Sequence, residues 1–260
     1  MNKLEESILL YISGLSTIKV RKITGITISV LAGHLKKRGL TRSNKQNSRK
    51  YHVNHDFFEK IDDEHKAYWL GMLHADGFVS ARKNQKCIGL SLHVNDKHHV
   101  EKFRDTLNSN YDIKTYTTKT AYGLTTYSRL LMTSEKMFSD LLSHGVIEQK
   151  SLVLKFPNIS PDLRHHFIRG YFDGDGSFSK SHDGYKFNMC GTKEFLNDLS
   201  LQIGFPNRKL SRRYKKRKTN NYYLEIGGRL QVIAIGDYMY RDATVYPKRK
   251  HQRYMNLKQD

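Results

Sequence analysis

The chain of 260 residues contains only two cysteines, four prolines and one tryptophan, and it has no long apolar run. Cys87 and Cys190 stand far apart without C-x-x-C spacing, so neither a disulfide framework nor a zinc site is indicated. No apolar run approaches the ~20 residues that cross a bilayer. The segment Ile8–Ile12 is too short and too close to acids to be a signal peptide. We therefore expect a cytoplasmic protein with no membrane partner, encoded by a bacterium or phage because no organelle presequence is recognisable.

Acidic residues are also scarce, and the chain is strongly basic as a result. Lys and Arg number 45 against 25 Asp and Glu, which gives a formal net charge of +20. Such an excess favours a polyanionic partner, since neutralising phosphates releases counterions. A hydrophobic content of 38% is enough for a folded core. Nucleic acid is therefore the first candidate partner.

The first 40 residues show three amphipathic segments. The spacing of apolar residues predicts helices near residues 4–12, 16–23 and 27–38. Gly25 lies between the second and third, where a helix-turn-helix has its turn, so Thr27, Ser29 and His34 would face DNA. A plain helical hairpin packed on the main body is the alternative. We assign 1–40 to this helix-turn-helix-like region and 41–62 to a basic linker.

One order of elements then occurs twice: helix, hairpin, helix, hairpin, helix. The copies are assigned to residues 63–156 and 157–260, with Pro157 and Pro161 near the join. Each copy begins with a variant of one nine-residue pattern, Trp69–Gly77 in the first and Ile168–Gly176 in the second. The repetition predicts two similar halves.

Each nine-residue stretch predicts a helix whose last turn carries an acid, Asp76 or Asp175. A carboxylate is unfavourable at the negative end of a helix dipole, and a divalent cation would reverse that preference. Small residues recur one turn apart, and they are Gly71 and Ala75 in one helix and Gly170 and Gly174 in the other. Helices packed on these faces would bring both acids to one region. Incidental aspartates before C-cap glycines are the alternative.

With these motifs the chain resembles a single-chain LAGLIDADG homing endonuclease over roughly His65–Tyr254. The resemblance implies an α+β fold of two pseudo-symmetric αββαββα repeats, whose saddle-shaped antiparallel sheets lie over the DNA major groove. It implies a monomer that cuts both strands of a long, specific double-stranded target across the minor groove. It also implies that the eighth-position acids Asp76 and Asp175 are the catalytic ligands of Mg²⁺ or Mn²⁺. His74 replaces the sixth-position acid of the first motif.

The resemblance further implies a catalytic lysine near each scissile phosphate. The segment Gly145–Pro157 resembles the stretch that supplies the first one, which selects Lys150. The second copy offers Lys248 and Lys250, and their spacing from Asp175 does not choose between them. An ammonium there could stabilise charge on the phosphate or polarise the attacking water. A solvated basic tail is the alternative for the second pair.

DNA contacts are expected from the strands, because alternate side chains of a sheet point away from the core. The candidates in the first repeat are Arg82, Lys83, Lys86, Lys114, Lys119 and Arg129. Those of the second lie in one acid-free segment and are Arg208, Lys209, Arg212, Arg213, Lys215, Lys216, Arg217 and Lys218. The adjacent histidines His98-His99 and His165-His166 are expected at the surface or beside DNA, with no role as metal ligands.

Three functions fit these features. The first is a site-specific double-strand DNA endonuclease, in which water attacks the phosphodiester with help from metal. The second is an intron maturase that binds intron RNA on the same fold. The third is a DNA-binding regulator on an inactive nuclease scaffold. Retention of both Asp76 and Asp175 argues against the third, since two acids facing phosphate give a pure binder no advantage.

Overall fold

The computed structural model describes residues 2–41, 51–82, 85–120, 123–182, 184–212 and 219–259, without the side chains of Arg82 and Ser181. The chain forms two compact units, Met1–His52 and Val53–Asp260. The division of the chain into four segments stays a prediction. No helix in the described ranges is long and apolar enough to cross a membrane.

The smaller unit is a three-helix cluster made of α1 (Lys3–Ile12), α2 (Thr17–Thr24) and α3 (Ile28–Lys37). Side-chain caps begin the first two helices, because Asn2 accepts a hydrogen bond from the Leu4 amide and Ser16 from the Lys19 amide. The three helices bury one small core, which consists of Ile8, Tyr11, Val20, Leu31 and Leu35. The three helices expected from apolar spacing are confirmed.

The larger unit contains the expected duplicated pattern. The first repeat consists of α4 (Glu64–Ala75), β1 (Gly77–Arg82), β2 (Gln85–His93), α5 (Lys97–Thr106), β3 (Ile113–Thr120), β4 (Gly123–Thr133) and α6 (Glu135–Ser143). The second consists of α7 (Arg164–Asp175), β5 (Gly176–Ser181), β6 (Gly184–Gly191), α8 (Lys193–Gln202), β7 (Ser211–Arg212), β8 (Tyr222–Gly227) and α9 (Arg229–Tyr240). The α+β fold with two αββαββα repeats is confirmed.

Each repeat has one antiparallel sheet, and the two sheets share one topology. Their strand orders are β1-β2-β4-β3 and β5-β6-β8-β7. The motif glycine that starts each first strand has an equivalent partner, since Gly77 pairs with Leu90 and Gly176 pairs with Met189. Alternate strand residues such as Ile88 and Leu90 are fully buried against the helices. The opposite face of each sheet is therefore free of that core.

A further helix, α10 (Lys248–Gln259), follows the second repeat and was not expected. Its sequence is dominated by polar residues, and only Lys250, Tyr254 and Leu257 are buried. These three residues occupy one face at helical spacing, but only three of the twelve residues of the helix are apolar, which gives too weak a periodic signal. At the other end of the unit, Val53, Phe57 and Phe58 join the main core.

The two motif helices α4 and α7 pack with their backbones in close contact. A β-carbon added at Gly71 would overlap the backbone oxygen of Phe167, and one at Gly170 would overlap the backbone oxygen of Tyr68. At the C-terminal end, a β-carbon at Gly174 would overlap that of Ala75. The packing expected from small residues on both helices is confirmed, and it sets the relative position of the helix ends.

Candidate functional site

The two motif acids lie where the paired helices end. Asp76 caps α4 and Asp175 is the last residue of α7, and both are exposed. A β-carbon built at Gly174 would lie 3.1 Å from Asp76 Oδ2. The carboxylate of the first repeat is thus against the last turn of the second repeat's helix, one residue before Asp175. The structure brings the two acids of the sequence prediction together.

The environment of Asp76 disfavours its ionised form. Loss of surrounding water is the main cause, and the negative charge of Asp175 adds to it, so the pKa of Asp76 is raised to about 6. The positive charges of Lys250 and Lys150 oppose this shift. Asp76 is exposed as a residue, but its carboxylate faces a cleft among many protein atoms. A bound cation would relieve the repulsion between these two acids.

Two buried lysines occupy equivalent places in the two repeats. Lys150 Nζ donates to the Gly77 oxygen at 2.5 Å, and Lys250 Nζ donates to the Gly176 oxygen at 2.7 Å. Lys250 also donates to the Phe172 oxygen at 2.7 Å. Each side chain is 8% exposed. Lys248 is instead exposed at the first residue of α10, away from the equivalent position.

Each lysine also interacts electrostatically with acids in the last turns of the two motif helices. Burial lowers the pKa of Lys150, and among its acidic neighbours Asp175 opposes this most strongly. Burial likewise lowers the pKa of Lys250, which Asp173 and then Asp76 oppose. An ammonium held by backbone oxygens beside carboxylates supplies positive charge at a fixed position.

Two clefts flank the ends of the motif helices. The first, of about 350 Å³, is lined by Asp76 and Lys250, together with Arg249, Arg253 and Tyr127. The second, of about 150 Å³, is lined by Asp175 and by Ser151, the neighbour of Lys150. Each cleft therefore combines the acid of one repeat with the lysine-bearing segment of the other.

The residues present fit an octahedral cation of the Mg²⁺ type. Mg²⁺ takes oxygen ligands and usually keeps several waters, so one or two carboxylates suffice when a phosphate supplies further oxygens. The exposed Asp76 and Asp175 provide that donor type. Across the part of the chain that the structure describes, no group of three or more His, Cys, Asp or Glu could hold a metal. This donor set does not suit structural zinc.

Metal affinity is expected to depend on pH, because a protonated carboxylate is a poor ligand. The pKa of Asp76 is raised to about 6 in the metal-free protein. We therefore expect Mn²⁺ affinity, measured by calorimetry, to fall up to about tenfold per pH unit below 6. It should change little between pH 7 and 8. Equal affinity at pH 5 and pH 8 would contradict the placement of Asp76 at the metal.

One buried acid was missed as a candidate, although it occupies the sixth motif position. Asp173 accepts a hydrogen bond from the Tyr68 hydroxyl at 2.8 Å, and that hydroxyl lies 2.7 Å from His99 Nε2. Burial raises the pKa of Asp173 to about 7. The equivalent residue of the first repeat is His74, whose Nδ1 lies 2.9 Å from the Leu70 oxygen. Burial lowers the pKa of His74 to about 4, which keeps this ring neutral.

The expected surface position of the histidine pairs is wrong for three of the four residues. His99, His165 and His166 are 0%, 4% and 7% exposed. Arg169 explains part of this, because its guanidinium lies 2.9 Å from His166 Nδ1 and pairs with Glu64 at 2.6 Å. These three histidines are part of the polar interior of the protein. Their adjacency in the sequence could not predict that they are buried.

The candidate DNA contacts of the first repeat divide between two faces of its sheet. Lys114 and Arg129 are paired across β3 and β4 on the face opposite the core, and Arg129 donates to the Tyr116 hydroxyl at 2.7 Å. Lys86 lies over the ring of Phe138 at 4.9 Å, on the helix-packed side. Lys119 is exposed near the end of β3.

Only part of the acid-free segment of the second repeat can be placed. Arg208 lies over the Phe205 ring at 5.5 Å and Arg212 over the Tyr222 ring at 5.9 Å, while Lys209 is exposed. The remaining candidates lie outside the described residues, and they are Lys83, Arg213, Lys215, Lys216, Arg217 and Lys218, with the side chain of Arg82.

Sequence reasoning missed the face of the second sheet that lies opposite its core. Lys186 and Asn188 alternate with the buried Phe187 and Met189 along β6, and Lys186 pairs with Glu225 of β8 at 3.1 Å. The alternation of this predicted strand could have identified the two polar residues. Arg253 of α10 had no such signal, because that helix was not expected.

The match to a known protein family agrees with this duplicated architecture. A family described as the LAGLIDADG-like domain matches residues 63–144 and 162–237. No curated protein matches the chain.

Several solved structures are similar at low identity. The LAGLIDADG meganuclease I-AabMI bound to uncleaved DNA is 13% identical, with 76% of this chain and 90% of that chain covered and a TM-score of 0.44. The I-LtrWI LAGLIDADG homing endonuclease bound to target DNA is 10% identical, with coverages of 79% and 90% and a TM-score of 0.48. Variants of the homing endonuclease I-DmoI are 15% identical, with coverages of 80% and 100% and a TM-score of 0.48.

The family match falls on both repeats and includes each nine-residue motif with its acid. It covers more than half of the chain. The chain therefore belongs to the LAGLIDADG homing endonuclease family and carries two LAGLIDADG-like domains.

Proposed function

We propose that the protein is a site-specific endonuclease that hydrolyses both strands of double-stranded DNA with Mg²⁺ or Mn²⁺. The observation that carries this proposal is the pairing of Asp76 and Asp175 at adjoining helix ends, each in a cleft beside the lysine-bearing segment of the other repeat. A protein that only binds DNA gains nothing from two carboxylates that repel each other and the phosphates. A phosphodiesterase does gain from these two carboxylates, because they can bind a cation.

The chain's own residues would then perform three tasks. Asp76 and Asp175 hold the cation, which when bound neutralises phosphate charge and lowers the pKa of a water. Lys150 and Lys250, fixed by their bonds to backbone oxygens, place positive charge where it develops on the phosphate. The close helix packing keeps these groups in register. Neutral His74 adds no charge beside the acids.

Binding would rest on the basic surface around these clefts. Arg129 and Lys114 lie on the exposed face of the first sheet and Lys186 on that of the second, where they can contact phosphates and base edges. With a net charge of +20, affinity should fall steeply as salt rises, through counterion release. A partner bound without salt dependence would contradict the proposed nucleic-acid interface.

The two second-copy lysines offer a matched pair of variants. Lys250→Met is expected to slow single-turnover cleavage about a hundredfold, since it removes a fixed charge near the phosphate. Lys248→Met removes the same charge from an exposed position and should change the rate less than about threefold. Because Lys250 is buried, thermal unfolding of both variants must be compared. Equal rates for the two variants would assign the catalytic role elsewhere.

The function is tested with a target recovered from random duplexes. The wild-type chain is used to enrich duplexes that it retains at about 150 mM salt, and the enriched sequence is placed in a plasmid. We expect linear product in Mg²⁺ and none in EDTA. Specific retention of the duplex without cleavage in Mg²⁺ or Mn²⁺ would favour the regulator. Preferential retention of structured RNA over this duplex would favour the maturase.

A further inference from the structure

We propose that the smaller unit is a second DNA-reading module, in which α3 enters a major groove of the same duplex that the repeats bind. This rests on the proposed DNA target but concerns a unit that contains none of the cleavage residues. It commits to double-stranded DNA as the occupant of this surface. Three independent features of the unit support it.

The first feature is the geometry of the turn. The eight-residue α2 ends at Gly25, whose φ of 76° places it in the left-handed region. Only Gly25–Thr27 separate it from α3. A short helix, a left-handed glycine and a three-residue turn into a second helix form the arrangement that presents a recognition helix to DNA.

The second feature is the shape of the exposed face of α3. Leu31 and Leu35 are buried in the unit's core. The exposed face carries short side chains followed by cations, and the residues are Ser29, Val30, Ala32, Gly33, Lys36 and Lys37. A β-carbon at Gly33 would meet no atom within 4 Å. A narrow face of this kind lets a helix approach base edges in the groove, where Val30, 47% exposed, can contact a thymine methyl group.

The third feature is the distribution of charge. The helices α2 and α3 carry five cations and no acid, and the cations are Lys19, Arg21, Lys22, Lys36 and Lys37. The acids Glu5 and Glu6 lie on α1 instead. Arg38 pairs with Glu5 at 2.6 Å and so joins the end of α3 to α1. The face made by α2 and α3 is therefore complementary to phosphates on both sides of a groove.

These features refine the candidate contacts of this unit. Thr27 and Ser29 are exposed at the start of α3, with their hydroxyl oxygens 3.3 Å apart, and fit the predicted role. His34 is only partly exposed and lies toward the edge of the face. Gly33 and Val30 occupy the centre, and they become the positions through which binding can be tested.

The test uses the full chain and its enriched target duplex with long random flanks. Gly33→Glu places a carboxylate at the centre of the α3 face, and Gly33→Ala places a methyl group there. Both replace a helical glycine with space around it, so both should raise the melting temperature. We expect Gly33→Glu to lose nuclease protection of one flank and to bind at least about tenfold more weakly. Gly33→Ala should keep the protected flank.

Leu9→Glu adds the same charge to the exposed part of α1 and controls for net charge. Unchanged protection and affinity for folded Gly33→Glu would overturn the inference, and so would an equal loss for Leu9→Glu. The protection and affinity measured in this experiment do not depend on cleavage. Gly33→Glu should still cut bound target in Mg²⁺, whereas a wild-type chain that protects both regions but never cuts would refute only the proposed nuclease function.

Discussion

Asp76→Asn and Asp175→Asn are each expected to lower the rate of double-strand cleavage by about 10³-fold. The amide keeps the size of the side chain but loses the charge that holds a cation, and stabilisation of phosphate charge depends on that cation. The measurement is single-turnover conversion of target plasmid to linear product in Mg²⁺. Because each cleft holds one of the two motif acids, nicked plasmid is the product to look for with either single variant.

Folding and binding provide the controls for these variants. Removing one of two repelling carboxylates should leave the protein at least as stable as the wild-type chain, because burial and the charge of Asp175 disfavour the ionised form of Asp76. DNA affinity in EDTA should be retained or increased. Asp198→Asn, the same substitution at an exposed position on α8, should cut normally. Full cleavage by Asp76→Asn would remove that residue from the proposed site.

Gly170→Ala is expected to destabilise the larger unit by about 3 kcal/mol. The added methyl group would overlap the backbone oxygen of Tyr68, and a packed interior has little room to move. Backbone cannot swing away as a flexible side chain can, so α4 and α7 would have to separate. Urea unfolding followed by fluorescence of Trp69, which is fully buried on α4 and packs against His99 and Phe103, measures the loss.

Gly227→Ala is the matched control for that substitution. The nearest atom to a β-carbon at Gly227 is 4.0 Å away, so its effect should stay below about 1 kcal/mol. Helix separation would also displace Asp76 from Asp175. The fraction of the Gly170→Ala variant that remains folded should therefore cleave DNA slowly. Equal stability for the two variants would mean that the helices do not need this close approach.

The site's main geometry was predictable from sequence because it depends on local repetition. Two motifs with small residues one turn apart predict close packing, and close packing brings their final acids together. Gly71 and Gly170 show this directly, since each faces the other helix's backbone. The alternation of apolar residues along β2, which includes the buried Ile88 and Leu90, likewise marks the core face of the first sheet.

What escaped prediction depends on contacts between distant segments. Lys248 and Lys250 are equivalent in charge and nearly so in spacing, and only the fold shows that Lys250 reaches the Gly176 oxygen. The same holds for His166, which is buried beside Arg169. The helix α10 escaped because few apolar residues mark its buried face. Tertiary packing decides such cases, not local pattern.

Metal-dependent cleavage by the paired acids is tested most directly by plasmid linearisation, with and without Mg²⁺, using the wild-type chain and an Asp76→Asn/Asp175→Asn double variant. Both proteins should bind the target duplex with similar affinity in EDTA. We expect linear product only from the wild-type chain and only with the metal. Linear product from the purified double variant would contradict this expectation, and so would a folded wild-type chain that binds its target in Mg²⁺ or Mn²⁺ and leaves both strands intact.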